Sequence, residues 1–296
     1  MLLKLTFPAG MVLAAVAGSV SAQEVEPARF HHVHLNSVDL EATFNFYQRM
    51  LGAIEVSYRS LTPALYTERS FILVTQVDAP PRWEPETAIW HIGWGGKDGP
   101  TEYEWFKQRG VEFYIPLTAL GRFHYMYLHG PDKELVEVFT GSQNYRFNHV
   151  HLFCENVEET VAWYQRHLGL KPRRAVLPAS ELRRNERGRF PGNSIQVDNV
   201  GMIFYSLPDT EATRAWFPSG PLTKLAPTDG RAIDHLGFSY RRIDPVHERM
   251  KAAGVEIVEP PALRPDFGFR SFFVRGPDGL LIEFVEEKPM PEGLWD

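Results

Sequence analysis

The chain has 296 residues, 44% of them hydrophobic and 23% charged, with a formal net charge of −6. That length allows two domains of ordinary size, each with its own core, and the acidic balance argues against broad nucleic-acid binding, which needs a basic face. Cys154 is the only cysteine, so no internal disulfide holds the fold, and its place at a strand end suits an inert buried thiol.

The opening "MLLKLTFPAGMVLAAVAGSVSA" has Lys4 near its start, a short apolar run and small residues before Gln23. This is the pattern of a secretory signal peptide. Residues 1–22 are therefore set apart from the fold, and a periplasmic or secreted protein without membrane attachment is expected after cleavage. The apolar run is too short for a comfortable membrane span.

From here the chain says most things twice. "FHHVHLN" alternates like a half-buried strand, and Asp39 followed by Phe44, Tyr47 and Leu51 predicts a capped amphipathic helix closed by Gly52. Short strands are expected near 53–58, 64–67 and 70–76. A second histidine strand, "AIWHIGWGG" at 88–96, leads to a helix over about 101–109 and three strands, the last at 134–140. After "TGSQNYR" the pattern restarts. "FNHVHLF" predicts a strand, and Val157, Val161, Tyr164 and Leu168 a helix closed by Gly169. Strands are expected near 171–177, 194–198 and 201–207, then "AIDHLGFSY", a helix over 243–253 and a final strand at 280–286. The spacings repeat as well. His32 to Tyr47 and His149 to Tyr164 are both 15 positions, His91 to Gly110 and His235 to Gly254 both 19, and Pro131 to Glu137 and Pro277 to Glu283 both 6.

The four strand–helix–strand quarters, the "F-x-x-H … FY … LG" openings and the "GPD-x-x-x-x-E" closes resemble the vicinal oxygen chelate superfamily. It includes glyoxalase I, extradiol dioxygenases, and fosfomycin- and bleomycin-resistance proteins. The resemblance covers nearly the whole chain after residue 22. It implies an α+β fold of tandem modules, 28–141 and 147–287, each made of two βαβββ units in a curled mixed-sheet cup with a metal inside.

The resemblance also implies the ligands. The first-strand ligand lies 15 positions before the helix tyrosine, which selects His32 and His149. The second quarter's strand supplies His91 and His235, and the carboxylate after the Pro-Asp turn is Glu137 or Glu283. The expected sets are His32–His91–Glu137 in one half of the chain and His149–His235–Glu283 in the other. Two imidazoles and one carboxylate suit a divalent metal, Fe(II) first, with Mn(II), Zn(II) or Ni(II) as alternatives. Glyoxalase-like members add a second glutamate; Tyr205 stands at that position, and "SFILVTQV" offers no carboxylate in the first module.

Three further residues are candidates for catalysis. Tyr127 lies ten positions before Glu137, where the dioxygenase branch has a tyrosine, and either meets a substrate oxygen or fills the cup; Phe273 is its counterpart. His34 and His151 share the ligand face by alternation and suit hydrogen-bond donors behind the ligands, acid–base groups or structural hydrogen bonds. Trp90, Trp94, Tyr125 and Phe269 suit pocket walls or core, and the basic segment 181–193 a lid or a solvated loop.

The leading expectation is a metal-dependent, extradiol-dioxygenase-like enzyme that chelates neighbouring oxygens of a small substrate, as a monomer or homodimer. The alternatives are a glyoxalase I-like lyase or isomerase, and a non-catalytic ligand-binding protein of the resistance type.

Overall fold

Asp39 starts helix α1 (Leu40–Leu51) because its carboxylate accepts from the Ala42 N–H, and Gly52 ends it in the left-handed region at φ 70°. Asn156 and Gly169 do the same for α3 (Val157–Leu168), and Asp98 caps α2 (Gly99–Gln108) through Thr101 N–H. Helix α4 (Asp244–Ala252) starts at Asp244-Pro245 without a side-chain cap. The computed structural model describes residues 25–142, 145–175, 192–207, 222 and 224–287. The segment expected to be a leader, 1–22, and most of the basic segment 181–193 lie outside them.

The first quarter contains β1 (Arg29–Ser37), β2 (Ile54–Tyr58), β3 (Leu61–Thr67) and β4 (Ser70–Gln76). The second contains β5 (Ile89–Gly96), β6 (Phe113–Leu120), β7 (Phe123–His129) and β8 (Leu135–Thr140). The third has β9 (Phe147–Cys154), β10 (Gly192–Val197) and β11 (Val200–Ser206). Of the strand expected at 171–177, the described residues show only an isolated bridge between Pro172 and Ile195. The fourth quarter has β12 (Ile233–Tyr240), β13 (Ile257–Arg264), β14 (Phe269–Arg275) and β15 (Leu281–Glu286).

These strands form two mixed sheets, and neither sheet follows the halves of the sequence repeat. One has the order β13-β14-β15-β12-β1-β4-β3-β2, the other β10-β11-β9-β5-β8-β7-β6. The first quarter thus joins the fourth through the antiparallel pair β1–β12, and the second joins the third through β5–β9. The α+β class stands, but each sheet is built from both modules.

Helix α1 packs on β3 and β4 of one sheet, while its Tyr47 meets Trp94 of the other at 5.7 Å. The Trp94 indole N–H donates to Leu51 O at 3.0 Å. Helix α3 packs on β10 and β11 and sends Tyr164 towards Phe238 of the opposite sheet. Phe30 and Phe147 meet between the sheets at 5.7 Å. Fully buried side chains of this kind contribute roughly 1.5–3 kcal/mol each, which ties the sheets into one core. On the far face of the first sheet, Tyr66, Phe71, Leu73, Phe269 and Val285 make a separate apolar cluster. The first sheet's histidines project onto that face.

Two candidate metal centres

Each strand that carries an expected histidine ligand has a break in register just before it. Pairing jumps from Phe30 to His32 on β1 and from Asn148's neighbours Phe147 to His149 on β9. It jumps likewise from Ile233 to His235 on β12 and from Ile89 to His91 on β5. Such bulges bend a strand and re-aim its side chains. At three of the four, the preceding side chain reaches Nδ1 of the histidine ring that follows. His31 Nδ1 lies 2.8 Å from His32 Nδ1, Asn148 Oδ1 2.6 Å from His149 Nδ1, and Asp234 Oδ1 2.5 Å from His235 Nδ1. The fourth, Trp90, meets the His91 ring edge-on at 4.5 Å. His91 Nδ1 is buried with no hydrogen-bond partner among the described residues.

Opposite each first-strand histidine stands a glycine: Gly237 faces His32 and Gly93 faces His149. A Cβ on Gly237 would sit 2.0 Å from His32 Nδ1, and one on Gly93 2.0 Å from His149 Nε2. The absence of a side chain on the neighbouring strand is what lets each imidazole lie across it.

The first centre gathers His32 from β1, His235 from β12 and Glu283 from β15. His32 Nε2 lies 3.2 Å from His235 Nε2 and 3.2 Å from Glu283 Oε2, and the third side of the triangle is 3.4 Å. His34 joins them, with donor atoms of His32, His34 and His235 all within 4.8 Å of one another. Its Nε2 lies 2.8 Å from Thr75 Oγ1 on β4.

The second centre gathers His149 from β9, His91 from β5 and Glu137 from β8. Glu137 Oε2 lies 2.7 Å from His149 Nε2 and 3.1 Å from His91 Nε2. His151 completes it, one donor atom from each of the four falling within 4.8 Å. Its Nδ1 is also buried without a hydrogen-bond partner among the described residues. Tyr127 faces Glu137 across β7–β8, in the register position that Phe273 holds opposite Glu283.

Electrostatics prepares both centres for a cation. Burial pushes the Glu283 carboxyl up, but the bonds from His235 and His32 reverse this and leave it well below the usual carboxylate range. Glu137 is lowered in the same way by His149 and His91. Burial lowers His32 and His91 and drives His34 and His151 further down. His235 goes the other way. Burial disfavours its charge, yet Asp234 and Glu283 on its two nitrogens raise it to about 9. A cation at ordinary zinc–nitrogen distances holds its donors about 2.8–3.4 Å apart, between octahedral and tetrahedral angles. The triangle at the first centre has those dimensions, and its chemistry is that of a 2-His-1-carboxylate set.

Residues 146–284 match the family model of the Glyoxalase/Bleomycin resistance protein/Dioxygenase superfamily. They belong to that superfamily. Glyoxylase I 4 of Arabidopsis thaliana is 24% identical over 144 residues, which is 49% of this chain and 72% of the relative. The solved structure of glyoxalase I from Zea mays superposes with a TM-score of 0.66 at 15% identity, covering 88% of this chain and 92% of that one. A candidate dioxygenase from Bacillus subtilis gives 0.57 at 10% identity, over 88% of this chain and 86% of its own. The two structural likenesses show a shared fold over nearly the whole length.

Within this fold, all six expected ligand residues fall into the two centres, but in a different partition from the one the sequence suggests. His32 is not brought to His91 and Glu137, nor His149 to His235 and Glu283. The pairing of first quarter with fourth, and second with third, exchanges the first-strand histidines between the two sets. His34 and His151 lie beside the ligand atoms, and Tyr127 belongs to the second centre. Thr75 and Tyr205 occupy matching positions on β4 and β11, where the superfamily's second glutamate is expected, and each touches the extra histidine of its own centre. Trp90, Tyr125 and Tyr127 stand together near the second centre, Phe269 packs on His31, and Trp94 is core.

His31 and Asp234 were missed as site residues. Strict alternation puts each on the face opposite the following histidine, and only the bulges turn them round. The available signal was positional: His31, Asn148 and Asp234 are polar residues that stand between an apolar residue and the histidine of a centre.

Proposed function

We propose that the protein is a metal-dependent enzyme that holds two neighbouring oxygens of a small substrate at a 2-His-1-Glu centre, with dioxygenase-like chemistry. The observation that carries the reading is the close triangle of His32 Nε2, His235 Nε2 and Glu283 Oε2, with Glu137 Oε2 likewise close to His149 and His91 in the second centre. A bound divalent cation would supply Lewis-acid stabilisation of developing oxyanion charge, and Fe(II) would add oxygen chemistry. His32, His235 and Glu283 would hold it at the first centre, and His149, His91 and Glu137 at the second. His34 and His151, kept neutral by burial, suit holding or moving a proton at a substrate oxygen. Burial and the nearby Glu137 hold the Tyr127 phenol protonated, so it acts as a hydrogen-bond donor rather than a base. The absence of a carboxylate at Thr75 and Tyr205 removes the second glutamate, the fourth ligand of the glyoxalase-like set, and favours the three-ligand chemistry.

A second reading, a glyoxalase-like isomerase, is favoured by the placement of His34 within reach of the ligand atoms, where an imidazole can replace a glutamate base. For location, the leader pattern at 1–22 supports export to the periplasm or medium; N-terminal sequencing of the exported protein tests it. Among the described residues no helix is long and apolar enough to cross a membrane.

Metal analysis of anaerobically purified protein, with oxygen uptake on a catechol and enediol panel, tests the main reading. Bound iron with oxygen consumption supports it. Turnover of a hemithioacetal with zinc or nickel supports the second reading instead, and ligand binding by metal-free protein without turnover refutes both.

A further inference from the structure

The two centres share their ligands in kind but not the groups behind them. Coordination through Nε2 leaves the proton of a ligating imidazole on Nδ1, and what accepts that proton sets the ring's orientation and basicity. At the first centre both acceptors lead to carboxylates. His235 Nδ1–H donates directly to Asp234 Oδ1 at 2.5 Å.

The other route is longer, and every direction in it is fixed once His32 Nε2 is a ligand. His32 Nδ1–H donates to His31 Nδ1 at 2.8 Å, which leaves the His31 proton on Nε2. His31 Nε2–H then donates to the Tyr58 oxygen at 3.0 Å. The Tyr58 hydroxyl in turn donates to Glu287 Oε2 at 2.6 Å. Arg59 closes the line at the surface, its Nη2 2.7 Å from the same oxygen. No group in this chain is asked to donate and accept at one atom with the same proton.

At the second centre neither acceptor is charged. His149 Nδ1–H donates to the neutral amide oxygen of Asn148 at 2.6 Å. Trp90 stands where Asp234 stands in the other centre, and an indole carries no acceptor. His91 Nδ1 consequently finds no hydrogen-bond partner among the described residues. Four equivalent bulge positions thus carry His31 and Asp234 on one side, Asn148 and Trp90 on the other.

We infer that the centres are unequal by construction: the His32–His235–Glu283 centre takes a cation first and holds it more tightly, with Asp234 and the His31–Tyr58–Glu287 chain as positioning residues. The inference rests on the metal reading above. Losing an outer partner of a ligating histidine costs about 10–100-fold in metal affinity, so one carboxylate present here and absent there separates the centres by about that ratio.

The test is a competitive Co(II) titration of the metal-stripped full chain, at about pH 9, against a chelator of known affinity. The wild type should give two dissociation constants at least about tenfold apart. His235→Ala should abolish the tighter class and His91→Ala the weaker. Asp234→Asn should weaken only the tighter class, by about 10–100-fold, and Asp234→Glu should restore part of the loss. Tyr58→Phe, which breaks the chain at an atom far from the ligands, should weaken the same class by a smaller factor. In each variant the other centre's constant is the internal control, which a general loss of structure would also move. Equal constants in the wild type, a tighter class removed by His91→Ala, or a tight constant unmoved by both Asp234→Asn and Tyr58→Phe would each overturn the inference and leave the metal reading standing. Absence of Co(II) binding at either centre would overturn both.

Discussion

Gly237 offers the most direct test of how the first centre is assembled. The residue is on β12, opposite His32, and the imidazole lies over its Cα. In Gly237→Ala the new Cβ would stand 2.0 Å from both Nδ1 and Cε1 of His32, whereas ordinary contacts begin at 3.4 Å. Neither strand yields easily, because β1 and β12 are central in an eight-stranded sheet. The ring must therefore retreat by roughly 1.4 Å, against a tolerance of about 0.2 Å in a metal–ligand distance. One ligand of three is then lost. Its loss should exceed the roughly 10–100-fold that an outer-sphere change costs, or about 1.4–2.7 kcal/mol of binding. Metal content after dialysis, with the second centre as internal reference, should fall to about half that of the wild type. Gly93→Ala should spare the first centre and empty the second, because its Cβ would strike His149 Nε2 itself. Far-UV circular dichroism and the melting profile would confirm that each variant is folded. A folded Gly237→Ala protein with unaltered affinity at both centres would refute the claim that this glycine makes room for the ligand.

The composite assembly predicts which substitutions share a phenotype: His32→Ala and His235→Ala should remove the same cation, and His91→Ala and His149→Ala the other, as metal stoichiometry in pairwise double variants would report. If His32→Ala and His91→Ala together remove only one cation, the strand pairing across the halves is wrong. Metal uptake at the first centre should also depend on pH, because the metal must displace the proton that His235 holds up to about 9. Apparent affinity should rise about tenfold per unit between pH 7 and 8 and level off above 9, with about one proton released on binding by calorimetry in buffers of different ionisation heat. A flat profile would refute this. Away from the centres, burial holds the Glu134 carboxyl up at about 7, although it accepts from Tyr47. Its folded value lies above the unfolded one, so the native state keeps the extra proton between them and stability falls as pH rises through 7. The loss should approach about 3 kcal/mol between pH 4.5 and 8 by urea unfolding. Glu134→Gln should flatten that part of the slope, and identical slopes in the two proteins would exclude the carboxyl as its source.

Local signals in the chain were sufficient for much of the fold. Helix limits followed from side-chain caps and left-handed glycines, as at Asp39 and Gly52, and the positions of β1 and β9 from alternation in "FHHVHLN" and "FNHVHLF". The six histidines and glutamates that gather in the two candidate centres were also legible, because the repeat preserves their spacing to the helix tyrosines and the Pro-Asp turns. The residues at their backs were not. His31, Asp234, Asn148 and Trp90 depend on breaks in strand register, and a bulge appears only when the partner strand is known.

By itself, then, the sequence determined four similar quarters and which histidines and glutamates recur in them. Only the tertiary structure decided which quarter joins which. Strands β1 and β9 carry nearly the same H-V-H-L pattern, and β5 and β12 the same A-I-x-H opening, so each could satisfy its hydrogen bonds and buried face with either partner. Local propensity cannot separate such alternatives. The choice lies in long-range packing between the sheets, where Tyr47 meets Trp94, Tyr164 meets Phe238 and Phe30 meets Phe147. That packing sets His32 beside His235 and His149 beside His91.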